Sequence, residues 1–106
     1  MKAGEVVFKS KYIWHQQKNE INKKEHGISF EEAVKVFDDP FSIEEYDAEN
    51  SITEDRYNYT GNISGKWLVV TVTMTPRADF IRIISAREAD SFETEVYYDN
   101  VRKNSG

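Results

Sequence analysis

The sequence predicts an α+β fold: a mainly antiparallel sheet of about four strands, with two N-terminal helices and one C-terminal helix. Three stretches carry that prediction. Ser29–Phe37 pairs a capping-box pattern, Ser29 and Glu32, with apolar residues Phe30, Ala33, Val34 and Phe37 at i, i+3, i+4 and i+7. Glu54–Thr75 alternates in two runs around a Gly/Asn/Ser-rich centre, the pattern of a β-hairpin. Phe80–Ala89, FIRIISAREA, is rich in strand formers and carries Arg82 and Arg87, with Arg77 just before it.

Taken in order, Val6–Trp14 has scattered apolar residues and contains a short strand. Gln16–Glu25 lacks Gly and Pro and reads as a short helix, anchored by Trp14 and Ile21 and stopped at His26-Gly27. The Ser29–Phe37 helix ends at Asp38-Asp39-Pro40, because the residue before proline avoids the helical region. Phe41–Tyr46 is a further strand and Asp47–Thr53 a polar loop. Gly61-Asn62 through Gly65 forms the turn between strands Arg56–Thr60 and Trp67–Thr75. In the second of these, Leu68, Val70, Val72 and Met74 form an oily face with Ile84; Trp67, Val69, Thr71, Thr73 and Thr75 point the other way. Asp90 and Glu93 cap the last helix, with Phe92, Val96 and Tyr97 inward, and Lys103–Gly106 frays.

A chain of 106 residues with 39% hydrophobic and 31% charged residues fits one soluble domain, residues 1–106. No apolar run reaches membrane-spanning length, and no secretory h-region opens the sequence. The absence of cysteine excludes disulfides and thiolate chemistry and suits a cytoplasmic location. A net charge of −5 argues against a general nucleic-acid coat while leaving room for a local basic site. His15 and His26 lack a third ligand and metal-binding spacing, so no metal or other cofactor is expected.

The polar face of the expected meander displays Glu54, Arg56, Asn58, Thr71, Thr73, Thr75, Ser85 and Arg87, with Arg77 at its rim. Guanidinium forks match phosphate oxygens in pairs, so this face suits phosphate recognition. A solvated face laced with Glu–Arg pairs is the alternative. Strict alternation sets Arg82 and Arg87 on opposite faces. It assigns Arg87 and Arg77 to the phosphate and makes Arg82 the structural arginine, unless a β-bulge reverses the choice.

The segments WHQQKNEINKKEHGISFEEAVKVFDDP, EDRY and TMTPRADFIRIISAREA, with a later Glu and Tyr, together resemble the BrnT family of type II toxin–antitoxin ribonuclease toxins. The resemblance runs from about Trp14 to Tyr97 or Tyr98; His15, Glu25 and Val72 depart from the usual family pattern. It implies a compact RelE-like fold and RNA cleavage without metal. It also implies neutralisation by a small DNA-binding antitoxin, BrnA, with a toxin homodimer inside the complex. Attack by a ribose 2′-OH needs a base, a stabiliser for phosphorane charge and a proton for the leaving oxygen. On that chemistry the catalytic candidates are His26, Glu54, Arg56, Arg77 and Arg87, and the RNA-binding candidates are Lys18, Thr73, Arg82 and Tyr97. The competing expectation is a catalytically weak or inactive homologue acting as a protein-interaction module.

Overall fold

The computed structural model describes residues 5–63 and 68–105. Among the described residues six strands form one sheet, flanked by three α-helices and a 3-10 turn. The strands are β1 (Val6–Lys9), β2 (Tyr12–His15), β3 (Ile43–Tyr46), β4 (Tyr57–Asn62), β5 (Val69–Arg77) and β6 (Phe80–Glu88). The helices are α1 (Gln16–His26), α2 (Phe30–Ala33) and α3 (Ser91–Asn104), and the 3-10 turn spans Val34–Asp38. The spatial order is β1-β2-β6-β5-β4-β3.

This corrects the expected four-stranded, mainly antiparallel sheet preceded by helices. Val6–Trp14 holds two short strands where one was expected: Ser10, at φ 57°, turns it into an antiparallel hairpin, so the described residues open on β structure. β2 then lies parallel to β6, with Tyr12 beside Ile81 and Ile13 beside Arg82, which makes the sheet mixed. Parallel pairing joins segments distant in sequence and leaves no local signature. The arginine strand β6 is interior, between β2 and β5.

β2 covers only the first part of β6, and α1 takes over where it leaves. Asn22 Nδ2 donates to the Ala86 carbonyl at 2.8 Å, and Ala86 N–H donates to Asn22 Oδ1 at 3.1 Å, so one amide side chain replaces a missing strand. Asn19 does similar work, accepting from Phe30 N–H at 2.8 Å and donating to Glu31. Both asparagines are buried, whereas Ile21, the expected anchor, is 47% exposed. Gly27, at φ 72°, ends α1 by donating to the Lys23 carbonyl.

The capping box at Ser29 is present, with Glu32 N–H donating to Ser29 Oγ at 3.0 Å. The helix it opens tightens after one turn into the 3-10 segment. Its shorter period brings Val36 under Ala33 and buries it fully, while Phe37 sits at the margin between Tyr12 and Tyr59. Trp14, Phe30, Val36, Val70, Val72, Ile83 and Ala86 form the centre of the core. Gly61 belongs to β4 rather than to the turn. A Cβ there would stand 3.1 Å from both Val36 Cγ1 and Ser42 Cβ, so glycine lets the 3-10 segment approach the sheet. The remainder of the expected turn at Gly65, and Trp67, lie outside the described residues.

The opposite, outer face is partly covered by α3. Its Asp90–Glu93 capping box is present, and Tyr97 is buried. Phe92 (73% exposed) and Val96 (38%) are not inward as expected, and Lys103 and Asn104 remain helical.

Candidate active site on the outer sheet face

One irregularity decides which side chains meet. Thr73 stands opposite Ser85 but Met74 opposite Ile83, so Ile84 is an extra residue, a β-bulge. Beyond it the alternation is reset. Arg82 pairs with Thr75, Ser85 with Thr73 and Arg87 with Thr71, which places Arg82 and Arg87 on one face. Ile83 and Ala86, opposite Met74 and Val72, take the core face. The expectation that the two arginines lie on opposite faces is therefore corrected, and Ile84 leaves the oily face it was assigned to.

On this outer face three guanidiniums converge on one carboxylate. Glu54 lies 3.4 Å from Arg82, 3.5 Å from Arg77 and 3.6 Å from Arg56. The side chains of Arg82 and Glu54 are only 16% and 23% exposed, where screening by water is weaker than at an open surface. Among the described residues Arg56 Nε is buried without a hydrogen-bond partner. Three cations share this one anion within a chain of net charge −5.

The loop that delivers Glu54 is firmly held. Asp47 N–H donates to the Arg56 carbonyl at 2.9 Å, and Arg56 N–H donates to Ser51 Oγ at 2.8 Å. Thr75, buried on β5, donates to the Asp55 carbonyl at 2.6 Å and fixes the residue next to Glu54. Thr73 donates to Asn58 at 2.6 Å, extending the polar row across the sheet.

Arg87 shares the face but not the cluster. Its Nη1 and Nη2 fork onto Glu93 of α3 at 2.7 and 3.0 Å. That hydrogen bonding raises the Arg87 pKa above its ordinary value. Burial alone would raise the Glu93 pKa, but Arg87, the Asp90 N–H and Thr71 together hold the carboxyl below its usual range. The fork is thus a clasp between β6 and α3.

Of the other expected site residues, Lys18 and His26 line a shallow depression on α1 with Ile84 and Ser85, at the rim of the outer face. His26 faces Glu25 at 3.9 Å. Tyr97 turns away to Asp39, whose carboxylate also accepts from Asn62 and Phe41 N–H; burial and then that bond raise the Tyr97 pKa. Sequence reasoning overlooked His15 as a site residue. It lies on the outer side of β2, in a groove with Arg77 and Arg82. The burial of its neighbours Tyr12 and Trp14 is the alternation that would have pointed it there.

Among the described residues no group of three or more His, Asp or Glu side chains is placed to hold a metal ion. Chemically, the cluster can bind an anion and stabilise charge developing on it. A family model described as ribonuclease toxin, BrnT, of type II toxin–antitoxin system matches residues 14–93. The curated proteins contain no match to the chain.

Proposed function

From the premise that this chain belongs to the BrnT family of type II toxin–antitoxin ribonuclease toxins, we propose that it cleaves RNA without a metal ion and is neutralised by a BrnA-like DNA-binding antitoxin. The observation that carries the cleavage reading is the convergence of Arg56, Arg77 and Arg82 on Glu54. A phosphodiester seated on the arginines meets forked donors, and the charge of the phosphorane falls where they point. The same three cations disfavour a divalent ion at that spot, which is why the mechanism is assigned to side chains.

In this mechanism the ribose 2′-oxygen loses its proton, forms a bond to phosphorus, and the P–O5′ bond breaks. The products are a 2′,3′-cyclic phosphate and a 5′-hydroxyl that has gained a proton. Glu54 is the base nearest the arginines. His26, an imidazole that can carry a proton, serves as acid from the rim beside Lys18 and Ser85. Arg82 joins Arg77 and Arg56 at the phosphate, Thr73 helps to hold the row, and Arg87 serves the scaffold.

Incubating the protein with single-stranded RNA in EDTA and analysing the ends tests this. Cyclic phosphate and 5′-hydroxyl ends are expected; cleavage that needs a divalent cation refutes it. One observation favours a second reading, a non-cleaving homologue that only binds its antitoxin: every cation of the cluster already has Glu54 as a partner. Antitoxin binding by a protein that leaves RNA intact would establish that alternative.

A further inference from the structure

Beside the arginine cluster the outer face changes character. Val6 and Phe8 of β1, Ile13 of β2 and Phe80 of β6 form an open apolar groove of about 570 Å³. Phe8 is 64% exposed, Val6 44% and Phe80 36%. The two phenyl rings stand 5.5 Å apart at 71°, edge to face, so they make a corner in which a flat group on one ring abuts the other. Exposing two aromatic rings together is costly in water and points to an occupant.

Charge identifies the occupant. Arg77 and Arg82 line the groove, and both also reach Glu54. Arg77 further lines the neighbouring depression formed by Thr53, Glu54, Asp55, Thr75 and Pro76, so it is a wall shared by the apolar groove and the charged site. A ligand filling both must join a flat apolar group to an anion at short range, and a nucleotide of single-stranded RNA has that form. Aromatic side chains next to cationic ones are the usual platform for unpaired bases.

We propose that this groove seats one unpaired nucleobase of the RNA adjoining the phosphate held by the arginines. The inference rests on the ribonuclease reading above and deepens it. It requires single-stranded RNA, because a base held in a duplex stack presents neither face to Phe8 or Phe80. Phe8 lies before the residues that the family model matches, so this contact is supplied by the chain's own N-terminal hairpin.

The test uses a labelled, non-cleavable 2′-O-methyl oligoribonucleotide, with affinity read by fluorescence anisotropy. Phe8→Ala should weaken binding about 5- to 20-fold, the lower part of the range for removing one stacking partner. Phe8→Trp should keep the affinity, and Phe80→Leu, which keeps the apolar volume, should lose part of it. An abasic residue at one position should weaken wild-type binding by a similar factor and the Phe8→Ala variant no further. Binding that falls with Arg82→Ala but ignores Phe8→Ala overturns the groove assignment and leaves the ribonuclease reading standing. So does a Phe8→Ala variant with unchanged RNA affinity but weakened antitoxin binding, which would give the groove to a protein. Wild-type protein that binds no oligoribonucleotide overturns both.

Discussion

Replacing Arg82 and Arg87 separately by alanine distinguishes the arginine proposed for the phosphate from the clasp. Arg87→Ala removes a two-bond fork to Glu93, but the arginine side chain is 44% exposed, so water screens the pair and its contribution stays near that of a good surface pair, about 1 kcal/mol. For a domain of this size that corresponds to a melting temperature lower by about 4–8 °C. Cleavage below the transition should be close to wild type, because Arg87 makes no contact with Glu54. Arg82→Ala has a different signature. Glu54 keeps Arg56 and Arg77 as partners, so no carboxylate is left unpaired, and the stability loss should also be about 1 kcal/mol. Its cleavage rate should fall about 10²–10³-fold, the usual effect of losing one preorganised charge stabiliser.

Single-turnover cleavage in EDTA and a thermal melt on each variant decide the matter. Arg82→Lys is a useful third variant: it keeps the charge and loses the fork, so its rate should lie between wild type and alanine. If Arg87→Ala abolishes cleavage while folded and Arg82→Ala cleaves like wild type, the shared-face reasoning from the bulge is wrong.

Three further outcomes are expected. Asn22→Leu should destabilise the protein by about 2–4 kcal/mol, because the Ala86 N–H and carbonyl and the Ile28 carbonyl all lose their side-chain partner in a buried place, and urea midpoints measure it. Glu93→Gln should cost stability at neutral pH and nothing in strong acid. The folded carboxyl sits below its usual value of 4.5, so the wild-type advantage is complete above that pH and is lost as pH falls through the folded value; urea midpoints across the acid range should converge. Ala78→Gly should raise stability by about 0.5–1 kcal/mol, since Ala78 holds φ 52° in the β5–β6 turn and glycine adopts that conformation without a Cβ penalty; an unchanged or lower melting temperature would contradict this.

Local signals in the sequence were sound where local physics decides the structure. The Ser29 and Asp90 capping boxes and the Gly27 stop depend on residues within a few positions of each other, and each is found where the spacing put it. The apolar alternation of Val70, Val72 and Met74 likewise marked the core face. The parallel β2–β6 contact is of another kind. It depends on a short N-terminal hairpin whose pivot, Ser10, carries no turn signature as strong as Asn-Gly, and on pairing between segments far apart in the chain. The burial of Asn19 and Asn22 was equally hidden. Composition marks asparagine as a surface residue, and only the backbone groups opposite it make burial favourable.

The candidate site shows the same division on a finer scale. Its ingredients, Glu54, Arg56, Arg77 and Arg82, were all visible as types, but their meeting depends on a single inserted residue. Without the bulge at Ile84, alternation would send Arg82 to the core face that Met74 and Ile83 occupy, where an unpaired guanidinium is prohibitively costly. With the bulge, Ile83 and Ala86 fill that core, Arg82 reaches Glu54, and Arg87 is carried on to Glu93. The charge pattern of the strand therefore constrains its backbone. Two arginines at odd spacing flanking core aliphatics in an interior strand can both escape burial only if the strand carries an extra residue between them. In this chain that residue also sets Arg82 at Glu54 apart from Arg87 at Glu93, so that α3 is fastened at one part of the outer face and the arginine cluster gathers at another.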